Sequence, residues 1–593
     1  MVSIYSYAID YIQKANDLNL SKHYRWQQLL HIKNGISEID DQKFFLAKDG
    51  KKDAKSEMNA TIYALMHEKV LDDNATACKF PARKHWLVEK LHMHDLPKVK
   101  CLEYQKILKK LDPVSATVVF PTAHINSPAS MFGHTFLRIN SSYHSKLLSY
   151  AINYAANADE SKTNALLYAL NGLVGGYHGF YSMLPYYEKL KEYRDTEQRD
   201  IWEYDLNLTK AEVLRMFEHI WELNGVYSDY YFFTENCSYN LLWLLEIGRK
   251  NLHLRDYFTY HVSPLETIHA MQDESMIVKE HYRGSKRTIL LQYEKAIKEQ
   301  YIHYVREILH KDIDVKKILD NGYIPLEQKQ YLLEASIELL EYRYIQGKMT
   351  KDKYLNLFHT LTTARASLGR GKMLSKKKPI NPLLSHRQAR VTLGIQSKNN
   401  HESMLLAVRP VYHDVYDSNV GLLRGTQIEF LNTVLKIDKK VSIEEFTLLS
   451  IQSISQVSAF IKPFSWRTHF KWDRNYHTEK LFFNVDMGVG SSWGNEYGYG
   501  YIMGDIYAYL IDSVQGALGL SAGLVIDKSL QFKTNIELMK RWYTDGTKQS
   551  LVHFVQSYAI STNIQVKFEY KLKKSDFIEH SNSTYNLLFN YYF

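Results

Sequence analysis

The sequence is poor in cysteine and contains no long apolar run. Only three of its 593 residues are cysteines, Cys78, Cys101 and Cys237. No stretch of about 18 apolar residues occurs, which excludes a transmembrane helix. The start, Met1 to Tyr5, lacks the basic residues, apolar stretch and small-residue cleavage site of a signal peptide. If the protein is exported, we therefore expect this sequence to be a mature or trimmed form.

Three cysteines allow one disulfide and leave one thiol over. Cys78 and Cys101 lie close together in a helical stretch, without the spacing of metal ligands, and an oxidising compartment would permit a disulfide between them. Cys237 then has no partner, and an unpaired thiol in an exported protein calls for a chemical explanation. A buried, inert cysteine is the simplest alternative. The residues around Cys237 are needed to distinguish a reactive thiol from an inert one.

The charge pattern gives no sign of a nucleic-acid partner. The formal net charge is +9, but basic and acidic residues are mixed along the chain, and no basic cluster accompanies a nucleic-acid motif. We therefore expect no nucleic acid partner, although a weak attraction to anionic lipid fits the charge equally well. The sequence also lacks metal-ligand spacing and a glycine loop that could cradle phosphate. We accordingly predict neither a metal site nor a cofactor.

Two regions have the apolar spacing of helices. Residues 1–108 carry apolar side chains at three- and four-residue spacing, for example within 24–30 and 60–66, and are predicted to form a helical N-terminal module. Residues 266–384 are predicted to be a helical connector, since 290–370 are charged and amphipathic.

Residues 109–265 change to a mixed pattern that predicts an α+β domain. Short β-like runs occur at 116–120, 135–139, 147–154 and 202–206, and Thr209 is placed to cap a helix that ends near residue 223. A glycine-rich segment, 172–180, includes Gly175 and Gly176. It is too apolar for a plain linker, and we expect it to form a mobile flap.

Residues 385–593 alternate between apolar and polar side chains. About twelve such segments of 9 to 15 residues are separated by turn residues, and the last one places large apolar side chains at 585, 587, 589, 591 and 593. Long alternating strands with a terminal aromatic strand are typical of an antiparallel outer-membrane β-barrel, whose aromatic girdles would account for much of the excess of 45 Tyr. A soluble sheet with one wet face gives the same alternation and remains the alternative.

Cys237 follows a capping residue at the start of an apolar helix, where the helix dipole favours a thiolate. A thiolate nucleophile needs a base, and the base needs an orienting group. His134, at the start of a strand and next to a glycine, is the best candidate for the base. Asn153 lies on the following strand, where it can orient the imidazole. His124 and His178 are competing candidates for the base.

At these positions the sequence resembles a known family. The segments 130–138 (SMFGHTFLR), 151–154 (AINY) and 234–238 (TENCS) resemble the periplasmic thiol-enzyme domain of the Bacteroides lipoprotein N-acyltransferase type. The resemblance covers about residues 112–260 and implies a circularly permuted papain-like fold of the NlpC/P60 superfamily. Residues 78–83 also resemble a helical module that precedes this domain in some relatives.

The resemblance implies that Cys237 is the nucleophile, His134 the base and Asn153 the orienting residue. Asn236, Ser130 and Gly133 are then candidates for substrate or oxyanion contacts. One departure limits the comparison: the Bacteroides acyltransferase is expected to end in transmembrane helices, whereas this chain ends in the β-rich region. Only the thiol chemistry carries over, and the precise reaction does not.

Three functions follow from these observations. The first is an outer-membrane-anchored periplasmic acyltransferase or hydrolase that forms an acyl-thioester on Cys237, with phospholipid or lipoprotein as substrate. The second is a cysteine peptidase or amidase that cuts peptidoglycan peptides. The third is a non-enzymatic outer-membrane barrel with a structural periplasmic domain in which Cys237 is merely buried.

Overall fold

The computed structural model describes residues 2–122, 133–143, 145–157, 171–172, 174–310, 314–371, 374, 377–576 and 578–593. The chain divides into two compact units. The first contains the residues up to Thr122 together with Gly133–Arg283, and the second contains Gly284–Phe593. Elements are numbered below in chain order.

The first unit combines helices with a small sheet. Its helices within the described residues are α1 (Val2–Asp17), α2 (Tyr24–Leu29), α3 (Ala54–Met66), α4 (Thr76–Lys79), α5 (Pro81–Leu91), α6 (Leu102–Leu111), α7 (Tyr186–Leu190), α8 (Lys210–Glu222), α9 (Cys237–Gly248) and α10 (Pro264–Asp273). Cys78 and Cys101 form a disulfide, with their Cα atoms 5.3 Å apart. This bond links α4 to the start of α6.

The strands of the first unit form one hairpin and one antiparallel sheet. They are β1 (Ile32–Lys33), β2 (Ile36–Ser37), β3 (Pro113–Pro121), β4 (Phe136–Ser141), β5 (Tyr150–Ala156), β6 (Tyr177–Pro185), β7 (Ile201–Leu206), β8 (Tyr227–Tyr230) and β9 (Ile277–Arg283). The sheet has the order β8-β6-β5-β4-β3-β7-β9. Its central strands are buried on both faces because helices and loops cover them.

The sequence predicted four strands of this sheet and missed three. The run predicted at 147–154 begins as a strand only at Tyr150, because residues 146–148 form a 3₁₀ turn. The glycine-rich segment continues directly into β6, which starts at Tyr177. Gly179 on β6 hides the alternating pattern of this strand. A Cβ atom there would clash with the Tyr154 hydroxyl, so the close packing of the sheet requires glycine.

The second unit begins with a helical bundle. Its helices are α11 (Lys286–Ala296), α12 (His303–His310), α13 (Val315–Asp320), α14 (Leu326–Ile345) and α15 (Lys351–Ser367). Their apolar faces share one core, which Phe460 and Ile461 from the loop between two barrel strands also join. The helical connector predicted from the amphipathic spacing is thus packed against part of the barrel chain.

The rest of the second unit is a closed antiparallel barrel of twelve long strands. They are β10 (Arg390–Lys398), β11 (His401–Arg409), β13 (Thr426–Ile437), β14 (Val441–Ser453), β15 (Ser465–Asp473), β16 (Phe482–Gly494), β17 (Gly498–Leu510), β18 (Val514–Ile526), β19 (Phe532–Tyr543), β20 (Lys548–Ser561), β21 (Ile564–Ser575) and β22 (Ile578–Tyr592), and the short β12 (Val411–His413) also pairs with β13. Each strand pairs with the next, β10 pairs with β22, and β11 pairs with β13, which closes the ring.

Side chains in the barrel strands alternate between a polar interior and an apolar exterior. Leu393, Ile502, Leu520 and Leu587 are each more than half exposed, whereas Thr392, Ser521 and Asn586, which directly precede or follow three of them, are buried. The terminal strand exposes Tyr585, Leu587, Phe589, Tyr591 and Phe593 on the outside. This exterior is the surface that a lipid bilayer requires. The predicted fold class, a helical region, an α+β middle and a twelve-stranded barrel, is confirmed.

Aromatic girdles on the outside of the barrel do not account for all of its tyrosines. Seven of them are buried, at positions 412, 499, 501, 507, 509, 543 and 592. They fill the space between strands together with charged groups; the Tyr507 hydroxyl, for example, accepts a hydrogen bond from Arg467 at 3.5 Å. An amphipathic ring packs well in an interior that is both narrow and polar.

No helix among the described residues is long and apolar enough to cross a membrane.

Candidate active site

Cys237 is the first residue of helix α9. Its side chain is 5% exposed, and it is the free cysteine of the chain. Asn236 caps the helix, because its side-chain oxygen accepts hydrogen bonds from the backbone N–H groups of Ser238 and Tyr239 at 3.1 and 3.2 Å. The cap holds the helix start, and with it the positive end of the helix dipole, at the sulfur atom.

His134 lies two residues before strand β4, and its backbone N–H donates to the backbone oxygen of Pro121 at 3.1 Å. Gly133 has a φ of +82°, and a Cβ atom there would lie 2.7 Å from the Phe120 ring. Only glycine therefore permits this turn. His134 Nε2 donates to Asn153 Oδ1 on β5 at 2.6 Å, which leaves Nδ1 for the thiol.

The structure brings Cys237, His134 and Asn153 together, and their charges are coupled. Burial by itself would raise the pKa of the Cys237 thiol, but the His134 imidazolium and its hydrogen bond lower that pKa below its usual value. Burial likewise disfavours the charged form of His134, yet the Cys237 thiolate and the hydrogen bonds to Cys237 and Asn153 raise the pKa of the imidazole. Both shifts favour a thiolate–imidazolium pair.

Two further groups contact the sulfur, and the sequence analysis missed both. The backbone N–H of Thr135 and the hydroxyl of Tyr230 donate to Cys237 and contribute to the lowered pKa of its thiol. The Tyr230 hydroxyl also accepts the backbone N–H of Cys237 at 3.1 Å. Tyr230 ends strand β8, a four-residue strand whose pattern is too short to predict. Its proximity to Cys237 arises only through sheet pairing.

The imidazole of His134 is held by aromatic packing. Tyr193 stacks on it with ring centroids 5.5 Å apart, and Phe136 stacks on the same tyrosine at 5.7 Å. Tyr193 lies in a π-helical turn, Lys191–Thr196, and π-helical turns are frequent at functional sites. Arg199 lies over the Tyr193 ring at 5.4 Å. This stack fixes the ring plane of His134 beside the thiol.

An acidic group lies close to the thiol along the chain. Burial, followed by repulsion from Glu38, raises the pKa of Glu235 to about 7. Asp40 and Asp229 contribute further repulsion. Glu235 therefore acquires its negative charge as the pH rises through neutrality.

Other residues predicted for this site have different positions. Asn236 donates its amide N–H groups to the backbone oxygens of Phe232 and Val262 at 3.0 and 2.7 Å, so its side chain holds the helix start and is not available as an oxyanion donor. His178 is exposed and lies 3.2 Å from Asp229, and the structure gives it no contact with the thiol among the described residues. Ser130 and His124 lie outside the described residues.

The glycine-rich segment is partly described. Gly175 has a φ of +77°, and a Cβ atom there would clash with the Tyr231 ring. Gly176 donates its N–H to Asn171 at 2.7 Å. These contacts form a turn beside β8, and the expectation of a moving flap stays a prediction.

Three family comparisons match separate parts of the chain. Residues 103–274 match the Lnb N-terminal periplasmic domain. Residues 379–592 match a domain of unknown function (DUF7840), and residues 18–90 match another (DUF7843). No curated protein matches the chain.

Several solved structures of outer-membrane proteins resemble about a third of this chain. The NanC porin is 8% identical, with a TM-score of 0.24, and the match covers 35% of this chain and 100% of that one. An outer membrane channel from Pseudomonas putida F1 is 12% identical, with a TM-score of 0.24 and coverages of 37% and 97%. Omp33 from Acinetobacter baumannii is 8% identical, with a TM-score of 0.20 and coverages of 35% and 99%. At these values the likeness carries no argument about function.

The domain match and the barrel geometry define the class of protein. The chain is an outer-membrane protein in which an Lnb-type periplasmic domain accompanies a closed twelve-stranded barrel. The apolar exterior of the barrel is its membrane-facing surface. The range that matches the Lnb domain, residues 103–274, includes Cys237, His134 and Asn153.

Proposed function

We propose that this protein is a thiol acyltransferase or hydrolase that forms an acyl-thioester on Cys237. One observation carries the proposal: the buried thiol at the start of α9 is coupled to the imidazole of His134, which Asn153 orients at 2.6 Å. A buried structural cysteine needs no such partner, whereas a nucleophilic thiol needs both a base and an orienting group. The arrangement also supports the permuted papain-like fold that the sequence resemblance implies.

In the proposed first step, the Cys237 thiolate attacks the carbonyl carbon of an ester or amide. The carbonyl π electrons move to oxygen, and when the tetrahedral intermediate collapses, the leaving group accepts the proton held by His134. In the second step, His134 accepts a proton from an amine or from water as that acceptor attacks the thioester. The thiolate then leaves, and the starting thiolate–imidazolium pair forms again.

The oxyanion would be stabilised by two donors that bond to each other in the free protein. The backbone N–H of Cys237 donates to the hydroxyl of Tyr230 at 3.1 Å. A negatively charged oxygen beside these groups would replace that bond and accept a hydrogen bond from each, and oxyanion donors of this kind each contribute about 10²–10³ in rate. Tyr230 takes the place that the sequence analysis assigned to Asn236.

The membrane barrel supports a lipid or lipoprotein acyl group as substrate. A barrel with an apolar exterior keeps the chain at the outer membrane, where acyl chains are concentrated. Hydrolysis of peptidoglycan peptides would use the same thiol and imidazole. The experiment therefore has to distinguish this amidase reaction from acyl transfer.

The test is direct detection of the acyl-enzyme. The full-length protein in detergent is incubated with phospholipid vesicles whose acyl chains are isotopically labelled, and with purified peptidoglycan in a second reaction. We expect mass spectrometry to find a labelled acyl group on the peptide that contains Cys237. Release of stem-peptide fragments without this adduct would favour the amidase.

Two variants make the result specific. Cys237→Ala should abolish the adduct, whereas Thr234→Ala, an exposed neighbour three residues earlier, should keep it. If neither substrate yields an adduct or product, and Cys237→Ala leaves the cellular phenotype unchanged, the thiol has no catalytic role.

A further inference from the structure

Two histidines and an aspartate meet at the end of the barrel where the chain enters. His386 lies four residues before β10, His413 ends β12, and Asp417 lies in the loop that follows. All three side chains are buried, at 3% exposed or less. The loop crosses the barrel interior: Lys533 donates to the Asp417 backbone oxygen at 2.9 Å and Ser557 to that of Tyr416 at 2.9 Å.

The three side chains direct one ligand atom each toward a common point. His386 Nε2 lies 3.2 Å from His413 Nδ1. Asp417 Oδ2 lies 3.7 Å from the first nitrogen and 3.6 Å from the second. Ligand atoms about 2.0–2.1 Å from a tetrahedral zinc ion are separated by about 3.3–3.4 Å. The observed triangle therefore matches one face of a zinc coordination sphere.

The hydrogen bonding of His386 is the kind that orients a metal ligand. Its Nδ1 lies 2.6 Å from the backbone oxygen of Arg387, which can only accept, so Nδ1 carries the proton. In the neutral imidazole, Nε2 then presents a lone pair to the centre of the triangle. Histidines that bind metals almost always donate their second nitrogen to a carbonyl or carboxylate in this way.

The surrounding charges leave room for a cation. Arg409 lies 2.6 Å from Asp417 Oδ2, and Arg390 lies 2.6 Å from Asp414. Glu429 lies within 3.9 Å of both arginines. Counting Lys533 and the neighbouring pair of Lys567 and Glu569, four basic groups face four carboxylates, so the cluster has no excess positive charge to repel an ion. The guanidinium of Arg409 also orients the carboxylate of Asp417.

We propose that His386, His413 and Asp417 bind one zinc-class divalent ion, which joins the start of the barrel, β12 and the inward loop. The fourth position of the coordination sphere is left for water. Imidazole and carboxylate ligands suit zinc and exclude a preference for calcium or magnesium, which favour oxygen ligands alone. The sequence analysis predicted no metal because His386 lies far from the other two ligands along the chain.

The test uses the full-length chain in detergent, without a polyhistidine tag and in a Cys237→Ala background, so that the catalytic thiol cannot bind metal. After treatment with a chelator, the protein is titrated with Co²⁺ and then with Zn²⁺. We expect one equivalent of Co²⁺ to give the visible absorption of a tetrahedral site and Zn²⁺ to displace it. Mg²⁺ and Ca²⁺ should leave the spectrum unchanged.

His386→Gln and His413→Gln should each weaken binding by at least about 100-fold, because loss of a group that only orients a ligand already costs 10–100-fold. His469→Gln is the matched control, since His469 is a barrel histidine that bonds to Ser450 at 2.6 Å, outside the cluster. If the Cys237→Ala protein, in which the cluster is unchanged, gives no tetrahedral Co²⁺ spectrum, the two imidazoles form a plain hydrogen bond and the proposal is wrong. Equal binding by the control and the ligand variants would also overturn it.

Discussion

The two units both contain antiparallel strands, but they place apolar side chains on opposite sides. In the sheet of the first unit, Val118, Leu137 and Ile152 are completely buried. In the barrel, apolar residues such as Leu520 and Ile502 are more than half exposed, while Arg467 and Glu537 lie inside and pair at 2.6 Å. Antiparallel strands of the same geometry therefore form a sheet adapted to water in the first unit and one adapted to lipid in the second.

The difference shows what determines the direction of a strand's apolar face. In water, burial of apolar surface drives the sheet to cover itself with helices. In a bilayer, lipid covers the apolar face and the polar groups must satisfy each other inside the ring. The thiol site depends on the first arrangement, because a dry, packed environment holds His134 against Cys237. The predictions below test that contrast between the two units.

The largest effect is expected from the imidazole of the first unit. His134→Ala should lower the rate of Cys237 alkylation by iodoacetamide at neutral pH by about 10³-fold or more, because burial then raises the thiol pKa against the hydrogen bonds of Thr135 and Tyr230 alone. In the wild type the rate should reach its plateau below the usual thiol range near pH 8.5, and in the variant only above it. The pH profile of alkylation measures the rate at neutral pH and the pH of the plateau in each protein.

His178→Ala is the control for this prediction, since His178 is an exposed imidazole of the same unit. Its pH profile should coincide with that of the wild type. A profile shifted equally in both variants would mean that His134 does not activate the thiol.

The second prediction compares one substitution in the two solvents. Leu520 lies near the middle of β18 and is 54% exposed, and Leu102 of the first unit is 63% exposed. Leu520→Lys should destabilise the barrel in lipid vesicles by about 2–4 kcal/mol, because lysine is costly on a lipid-facing surface. Leu102→Lys should cost nearly nothing, because its side chain faces water. Urea-dependent folding into vesicles, followed by heat-modifiable gel mobility, gives the value for the barrel, and hydrogen exchange of α6 in urea gives the value for the first unit.

If the two substitutions have equal effects, the outer surface of the barrel does not face lipid, and the soluble sheet considered from the sequence becomes the better description.

The third prediction concerns the disulfide between Cys78 and Cys101. Its reduction, or the double change Cys78→Ala with Cys101→Ala, should destabilise the first unit by roughly 3 kcal/mol, because the unfolded chain regains the freedom of the closed loop. Hydrogen exchange followed by mass spectrometry should show faster exchange in α4 to α6 and no change in the barrel strands. Faster exchange in both units would show that they unfold together.

The smallest effect is expected at a helix cap. Thr209 and Glu212 form a capping box at the start of α8, with Glu212 N–H donating to Thr209 Oγ1 at 3.3 Å. Thr209→Ala should cost about 1 kcal/mol, confined to the first unit. Thermal unfolding and local hydrogen exchange of α8 measure it, and Thr209→Ser serves as the control that keeps the cap. A loss as large as that from disulfide removal would contradict the assignment of a purely local role.

Much of the architecture could be predicted because it depends on local periodicity. The barrel strands, the amphipathic helices and the Thr209 cap each have a pattern within one element. The short β8 and the glycine-containing β6 have no such pattern, since four residues are too few and Gly179 interrupts the alternation. The organisation into four domains stays a prediction, while the structure groups the chain into two compact units.

The residues of the candidate site likewise include some that could be predicted from the sequence and some that could not. Cys237 was singled out by counting thiols and by its helix start, and His134 and Asn153 by their strands and by resemblance. Tyr230 and Thr135 could not be found, because their contacts with the sulfur exist only after the strands and α9 have packed. Asn236 was correctly placed at the helix start, but the carbonyls that hold its amide lie on other segments.

The sequence by itself determined that this protein has one unpaired thiol at a capped helix start and a long series of strands that alternate in polarity. Both are local properties of the chain, set by residue type and spacing. The tertiary structure alone decided which groups surround that thiol and that the strands close into a ring. Hydrogen bonds and charge coupling act over a few ångströms in space, so residues far apart along the chain acquire them only when it folds.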